Sequence, residues 1–252
     1  MLRINYLKNW YEIEFNGIKI IETRYTTKFI KSILESPDET PYLIIDNKNI
    51  RWKNVIYINE LTKYEDFLSL NKNGFIYKKI IEKIADNILI NQDLINKIIM
   101  EINQEIGIED FLLNQYDLPK LIAATFELND LGYIDDDKLI DILNKIEYDE
   151  KKLIIFDNVS YINYEKCKKL MNNFNILIVC SDIREIINNF SLLEICCFIY
   201  NSSIFDVINV EKLISFLEIK TSLSINEQDL NKYLDNGTDQ KSSIINFYLK
   251  NI

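Results

Sequence analysis

Two apolar segments near the middle of the chain predict a pair of buried parallel strands. Lys151 to Asn158 places four apolar residues between two lysines and an Asp-Asn pair, and Asn175 to Asp182 repeats this design. Unbroken apolar runs bounded by polar residues are typical of strands that are covered on both faces, as in parallel sheets. A helix is predicted between them over Tyr164 to Asn172. The three elements therefore form one strand–helix–strand unit.

The first part of the chain is predicted to be β-rich with one helix. Glu12 to Glu22 is predicted to form two strands joined at Asn16-Gly17, because Asn-Gly is the strongest short hairpin signal. Thr27 to Leu34 has the apolar spacing of a helix. Tyr42 to Ile45 and Val55 to Ile58 are predicted strands.

From Phe75 onward, apolar residues recur about every four positions, which indicates helices. The predicted helices are two consecutive ones separated at Asn91 to Asp93, followed by Leu118 to Leu128 and Asp137 to Ile146. Residues 70–148 are therefore predicted to form an all-helical leg, inserted in an α/β head made of residues 1–69 and 149–252.

The last part of the chain continues the head and then extends it. Glu194 to Tyr200 is a third apolar strand, and residues from about 201 form a C-terminal extension. Its predicted helices are Val210 to Ile219, Glu227 to Leu234 and Ser242 to Leu249. The tail from residue 222 is polar, and it is predicted either to dock loosely or to exchange with a neighbouring subunit.

Composition excludes several function classes. The chain of 252 residues has no histidine, which excludes Ser-His-Asp and Cys-His nucleophile pairs. Its net charge of −10 argues against a globally basic nucleic-acid binder, although 29 basic residues leave room for a local basic surface. Cys180 and Cys196-Cys197 lie in apolar strands and are predicted to be buried free thiols. A polar amino terminus and the lack of a long apolar run predict a cytoplasmic, soluble protein.

The strand that ends at Asp157 resembles the strand of nucleoside-triphosphatases that presents a magnesium-binding acid. The five glycines lie far apart, however, and none precedes a Lys-Ser or Lys-Thr pair, so a phosphate-cradling loop is missing. We therefore predict an ATPase-like sheet without a nucleotide site, and a vestigial or capping role for Asp157 and Asn158.

The order and spacing of these elements resemble the ring-forming spacer-acquisition protein of type II-A CRISPR systems. Lys151 to Asp157 matches the Lys-Lys-apolar strand of that family. Tyr42 to Lys48 and Lys53 to Ile58 match its second strand pair, and Glu109 to Leu118 matches the acidic helix of its leg less closely. The residues beyond Tyr200 exceed the short members and look like an elongated-tail variant.

The resemblance implies a non-enzymatic homotetrameric ring with a positively charged channel. Linear double-stranded DNA would pass through the channel without sequence preference. The family also binds calcium, which stabilises the ring, and it works beside the CRISPR integrase and effector nuclease. No membrane partner is implied.

Five basic residues are the candidate DNA-binding positions. Lys48, Arg51 and Lys53 fall on a turn where the resembled family also has lysines, and Lys28 and Lys31 follow on the first helix. Each could contact a backbone phosphate without reading sequence. The alternative is an ordinary solvated surface.

Asp117 and Glu127 are the positions where the resemblance implies calcium ligands. Calcium takes six to eight oxygen ligands, and apolar residues and a proline stand between these two acids where the family is acidic. The calcium site is therefore retained in weakened form, rebuilt from Glu109 or Asp110, or absent. Asp135 to Asp137 are predicted instead to cap the helix that follows them.

Three function hypotheses remain open. The first is the DNA-binding ring, and the second is a protein-interaction scaffold on a degenerate ATPase fold without DNA binding. The third is a metal-dependent nuclease that uses Asp117, Glu127 and Asp135 to Asp137. The nuclease is the weakest, because no strand carries a paired acid and lysine near these residues.

Overall fold

The computed structural model describes residues 1–34, 43–68, 70, 75–84, 92–107, 113, 118–127, 132–134, 138–146, 148, 150–200 and 203–251. The chain divides into two compact units, one made of Met1–Thr62 with Ile134–Ile252 and the other of Lys63–Tyr133. The sequence placed a helical insertion at 70–148, whereas residues 134–148 belong to the first unit. The class is mixed α/β, as predicted.

A small antiparallel sheet forms at the amino terminus. The first five strands are β1 (Leu2–Tyr6), β2 (Asn9–Ile13), β3 (Ile18–Thr23), β4 (Leu43–Ile45) and β5 (Lys48–Asn49). Four of them pair in the order β2-β1-β4-β5, and β3 leaves for a second sheet. The predicted hairpin over Glu12 to Glu22 is therefore wrong, since β2 and β3 lie in different sheets.

The true amino-terminal hairpin joins β1 to β2 through Leu7 and Lys8. Both residues have positive φ angles, 51° and 69°, which is the backbone that a tight two-residue turn requires. Neither is a glycine, so the sequence carried no turn signal at this point. Gly17 also has a positive φ of 92°, but it serves a connection between sheets.

The second sheet is mostly parallel. Its other strands are β6 (Val55–Asn59), β7 (Lys152–Asp157), β8 (Phe174–Cys180), β9 (Cys196–Tyr200) and β10 (Ser203–Asp206). Within the described residues the order is β10-β9-β3-β8-β7-β6, and all neighbours run parallel except β10 with β9. The predicted central strands are confirmed. Of the strands predicted at Tyr42 to Ile45 and Val55 to Ile58, the described residues form β4 and β6, which lie in different sheets.

Most of the remaining elements are helices, and they occur in both units. The helices are α1 (Thr26–Leu34), α2 (Tyr64–Phe67), α3 (Phe75–Ile84), α4 (Gln92–Ile106), α5 (Leu118–Thr125), α6 (Lys138–Lys145), α7 (Tyr164–Lys168), α8 (Val210–Thr221), α9 (Glu227–Leu234) and α10 (Gln240–Leu249). The unit Lys63–Tyr133 contains α2 to α5, and a bridge between Lys63 and Tyr133 joins its two ends. No helix in the described part of the chain has both the length and the apolar character that a membrane crossing needs.

The main core lies between the two sheets. Phe29, Ile30 and Ile33 of α1 are buried there against apolar residues of both sheets. Alternate strand residues point to opposite faces of a sheet, and every residue of β7 from Leu153 to Asp157 is buried. The parallel sheet is therefore covered on both faces, as its continuous apolar strands predict.

Strand β3 is buried along its full length and includes two charged residues, Lys19 and Glu22. Lys19 is only 1% exposed, and its Nζ lies 2.5 Å from Asp206 Oδ1 in β10. The same Nζ donates a longer hydrogen bond of 3.4 Å to the carbonyl oxygen of Glu194. An ion pair removed from water in this way holds β3 and the edge strand β10 in register around β9.

The carboxyl-terminal extension packs firmly. Leu230, Tyr233 and Leu234 of α9 and Ile245 and Leu249 of α10 are buried. The prediction of a loosely docked polar tail is therefore wrong. The buried positions recur three and four residues apart, and the polar Asn, Asp and Lys residues between them had hidden this pattern.

The four cysteines are buried free thiols, as predicted for those in the strands. Burial raises the pKa of the Cys180 thiol well above its ordinary value, and the nearby carboxylate of Glu22 raises it further. These thiols therefore behave as small apolar side chains.

Candidate functional site

Asp157 lies at the carboxyl end of β7 and connects three elements. Its carboxylate is 5% exposed. Oδ2 accepts hydrogen bonds from Thr27 Oγ1 of α1 at 2.8 Å and from Tyr57 Oη of β6 at 2.5 Å. Oδ1 has no hydrogen-bond partner within the described part of the chain. Asp157 thus fixes the start of α1 against the edge of the sheet.

Asn158 follows Asp157 in a left-handed backbone conformation with a φ of 51°. Its side-chain oxygen accepts a hydrogen bond from the backbone N–H of Ser181, at 3.0 Å. The pair was predicted to be vestigial or capping. In the structure Asp157 joins β7 to β6 and to the start of α1, and Asn158 joins the carboxyl ends of β7 and β8.

We expect Tyr57 to make the stability of the protein fall at alkaline pH. Burial, together with the hydrogen bond to Asp157, raises the pKa of Tyr57 to about 12 from 10.0. The unfolded chain therefore loses this proton first, so the stabilisation is complete below pH 10 and is lost as the pH rises from 10 towards 12. Urea denaturation between pH 9 and pH 11.5 on the native protein and on Tyr57→Phe measures this contribution. A Tyr57→Phe protein with the same alkaline loss as the native one would contradict it.

The candidate DNA-binding residues are exposed where their side chains are described. Lys28 and Lys31 lie on α1, Lys48 lies on β5, and Arg51 precedes a short 3-10 turn over Trp52–Asn54. Lys53 lies within that turn. Lys48 forms an ion pair with Glu150 at 3.1 Å, but both side chains are exposed, so the pair adds little stability and leaves the lysine accessible.

Two of these basic residues, Lys28 and Lys48, border separate cavities. Lys48 borders a cavity of about 640 Å³ together with Lys151 and Glu150. Lys28 borders another of about 500 Å³, together with Arg24 and Lys250. Lys28 and Lys48 therefore do not share a cavity.

Sequence reasoning missed Arg24 and Lys250. Arg24 directly follows β3, and the segment after a parallel strand is where open α/β sheets place ligand-binding residues. That rule could have drawn attention to Arg24. Lys250 lies 226 positions further along the chain, and no sequence signal connects the two residues.

Of the two predicted calcium ligands, one lies in the described part of the chain. Glu127 is an exposed residue just after α5, and Asp117 lies outside the described residues. The other acids weighed for metal binding, Glu109, Asp110 and Asp135 to Asp137, also lie outside them. Among the described residues no group of three or more acidic or cysteine side chains could hold a metal ion. The calcium site therefore stays a prediction of the resemblance.

The comparisons with known proteins bear on the fold. No family model matches the chain, and no curated protein matches it. The crystal structure of Stu0660 of Streptococcus thermophilus aligns with a TM-score of 0.62, over 99% of this chain and 92% of that chain. The fold is similar to that of Stu0660. The two sequences are 14% identical, so the likeness to Stu0660 concerns the fold alone.

Proposed function

We propose that the chain binds linear double-stranded DNA without sequence preference, as a homotetrameric ring, during CRISPR spacer acquisition. Two things support the proposal. The order of strands and helices resembles the type II-A spacer-acquisition family, and the fold is similar to that of Stu0660 over nearly the whole of both chains. In this role the protein acts beside an integrase and an effector nuclease and carries out no reaction of its own.

The observation that carries the DNA-binding proposal is the exposure of the basic residues. Lys28, Lys31, Lys48 and Arg51 are all exposed on an acidic protein. Lysine and arginine near DNA displace condensed counterions, which gives affinity that depends on salt and not on base sequence. Local basic surfaces of this kind allow a protein of net charge −10 to bind DNA.

The test of the proposal is light scattering coupled to size-exclusion chromatography, with and without a short linear duplex. We expect a mass near four times 29.9 kDa and co-elution with the duplex at low salt. A second duplex of the same length and shuffled sequence should bind equally well. A protein that leaves both duplexes free at low salt would overturn the proposal, and the protein-interaction scaffold would then take its place.

Calcium dependence is tested by the same measurement with added calcium and with a chelator. The resemblance leads us to expect that the chelator shifts the tetramer towards smaller species, because the metal stabilises the ring in that family. If the chelator leaves the tetramer unchanged, calcium has no part in the proposed function. Asp117 and Glu127 then have no role as calcium ligands. DNA binding is read separately, so the two results remain independent.

A further inference from the structure

A cavity of about 500 Å³ lies at the carboxyl ends of β3 and β9. Thr23 ends β3, and Ile199 is paired with it in the neighbouring strand β9. Both residues line the cavity. Its volume falls within the range of about 300–1,000 Å³ that is usual for small-molecule sites. The carboxyl edge of a parallel sheet is also where open α/β folds bind their ligands.

The charge of this cavity is opposite to that of the protein. Among the described residues that line it, three are cations, Arg24, Lys28 and Lys250, and none is an aspartate or glutamate. The whole chain, by contrast, has 39 acidic and 29 basic residues. Three cations that border one cavity repel one another, and a bound anion relieves that repulsion.

The acid nearest to Lys250 is already held by another cation. Asp182 lies 3.4 Å from Lys250 Nζ. It also accepts hydrogen bonds from the backbone N–H and from two side-chain nitrogens of Arg184. Burial alone would raise the pKa of Asp182, but the hydrogen bonds from Arg184 and the charge of Lys250 lower it below its ordinary value. Lys250 therefore shares this carboxylate with Arg184, whose hydrogen bonds to it are shorter.

Polar groups and a helix end complete the lining. Helix α1 begins at Thr26, beside the lining residues Arg24 and Tyr25. The amino end of a helix carries partial positive charge that favours anions. Tyr25 has an exposed ring, and Lys28 Nζ lies 6.0 Å from its centre. The lining thus offers cations and an aromatic surface to a ligand. It has no glycine-rich phosphate loop among its described residues.

We propose that this cavity binds a phosphate-bearing small anion, with a diphosphate group as the best match to its three cations. A single phosphomonoester carries up to about two negative charges at neutral pH, and a diphosphate carries more. Arg24 makes paired hydrogen bonds to phosphate oxygens, and Lys28 and Lys250 contribute point charges. The site binds the ligand and does not cleave it. This inference stands apart from the proposed DNA-binding function, although the two share Lys28.

Isothermal titration calorimetry with inorganic diphosphate tests the site. At about 0.1 M salt, where charges more than about 10 Å apart are largely screened, we expect saturable binding with one diphosphate per chain. Arg24→Gln and Lys28→Gln should each weaken it by about tenfold, since each removes a charge-assisted hydrogen bond. Lys31→Gln is the matched control, because Lys31 is an exposed lysine of the same helix that does not line the cavity.

Two results would overturn the site. One is the absence of saturable heat with the native protein. The other is an equal loss of affinity in Lys28→Gln and Lys31→Gln, which would indicate general attraction to a basic surface. Neither result depends on DNA. The anion site can therefore fail while the DNA-binding proposal holds, and the DNA-binding proposal can fail while the anion site holds.

The source of the phosphate is distinguished by competition. A duplex that carries 5′-phosphate ends displaces bound diphosphate if the natural ligand is a DNA terminus, whereas the same duplex with 5′-hydroxyl ends does not. If neither duplex displaces diphosphate, the ligand is a free small molecule. Displacement by both duplexes alike would show that the backbone of DNA covers the cavity, and it would overturn a separate small-anion site.

Discussion

Replacing Lys19 by alanine is expected to lower the free energy of unfolding by about 3–5 kcal/mol, the usual cost of leaving one partner of a buried ion pair without the other. Asp206 is 11% exposed at its side chain, and it would keep a carboxylate that water reaches poorly. Urea denaturation at pH 7 measures the change. The urea concentration at the midpoint should fall, while the dependence of the unfolding free energy on urea concentration stays the same.

Two controls separate the lost charge from lost packing. The double variant Lys19→Met with Asp206→Leu removes both charges and keeps similar volumes, so it should be clearly more stable than Lys19→Ala. Lys48→Ala breaks the exposed pair with Glu150 and should change stability by less than about 1 kcal/mol. A loss in Lys19→Ala as small as that in Lys48→Ala would show that the buried pair contributes nothing.

Replacing Lys48, Arg51 and Lys53 together by alanine is expected to give the largest loss of DNA binding. Each phosphate contact that is removed should lower the slope of log K against log salt by about one. The loss should be the same for duplexes of different sequence, because phosphates carry no sequence information. Fluorescence anisotropy of a labelled duplex at several salt concentrations measures both quantities.

The matched control for this variant replaces Lys212, Lys220 and Lys232, three exposed lysines of α8 and α9. It removes the same total charge from another part of the first unit. The two triple variants should therefore differ in affinity although their net charges agree. Equal losses would mean that DNA binding depends only on the overall charge. Lys48, Arg51 and Lys53 would then not belong to the DNA-binding surface.

The continuity of an apolar run, more than any turn signal, made parts of this fold predictable from the sequence. β7 and β8 were predicted because each is an uninterrupted apolar run between polar residues. Asn16-Gly17 led to the wrong prediction of a hairpin over Glu12 to Glu22. The same dipeptide that closes a hairpin can also lie in a connection between two sheets. Leu7 and Lys8 form a real tight turn with residue types that seldom adopt positive φ.

The buried pair and the basic cavity could not be predicted, for one physical reason. Lys19 stands beside isoleucines in an alternating pattern that is typical of an exposed lysine on a half-buried strand. Its burial depends on Asp206, 187 positions later. The cavity likewise joins Arg24 to Lys250. Contacts between distant positions leave no periodicity, and only the folded chain brings them together.

The place of β3 in the sheet has a consequence for how the chain folds during its synthesis. β3 ends at residue 23, but its neighbour β8 ends only at residue 180, and β9 follows later still. The intervening 157 residues take roughly 8–30 s to translate at about 5–20 residues per second. For that interval a nascent chain holds an apolar strand without a partner. We therefore expect the nascent chain to be prone to aggregation through β3 during this interval.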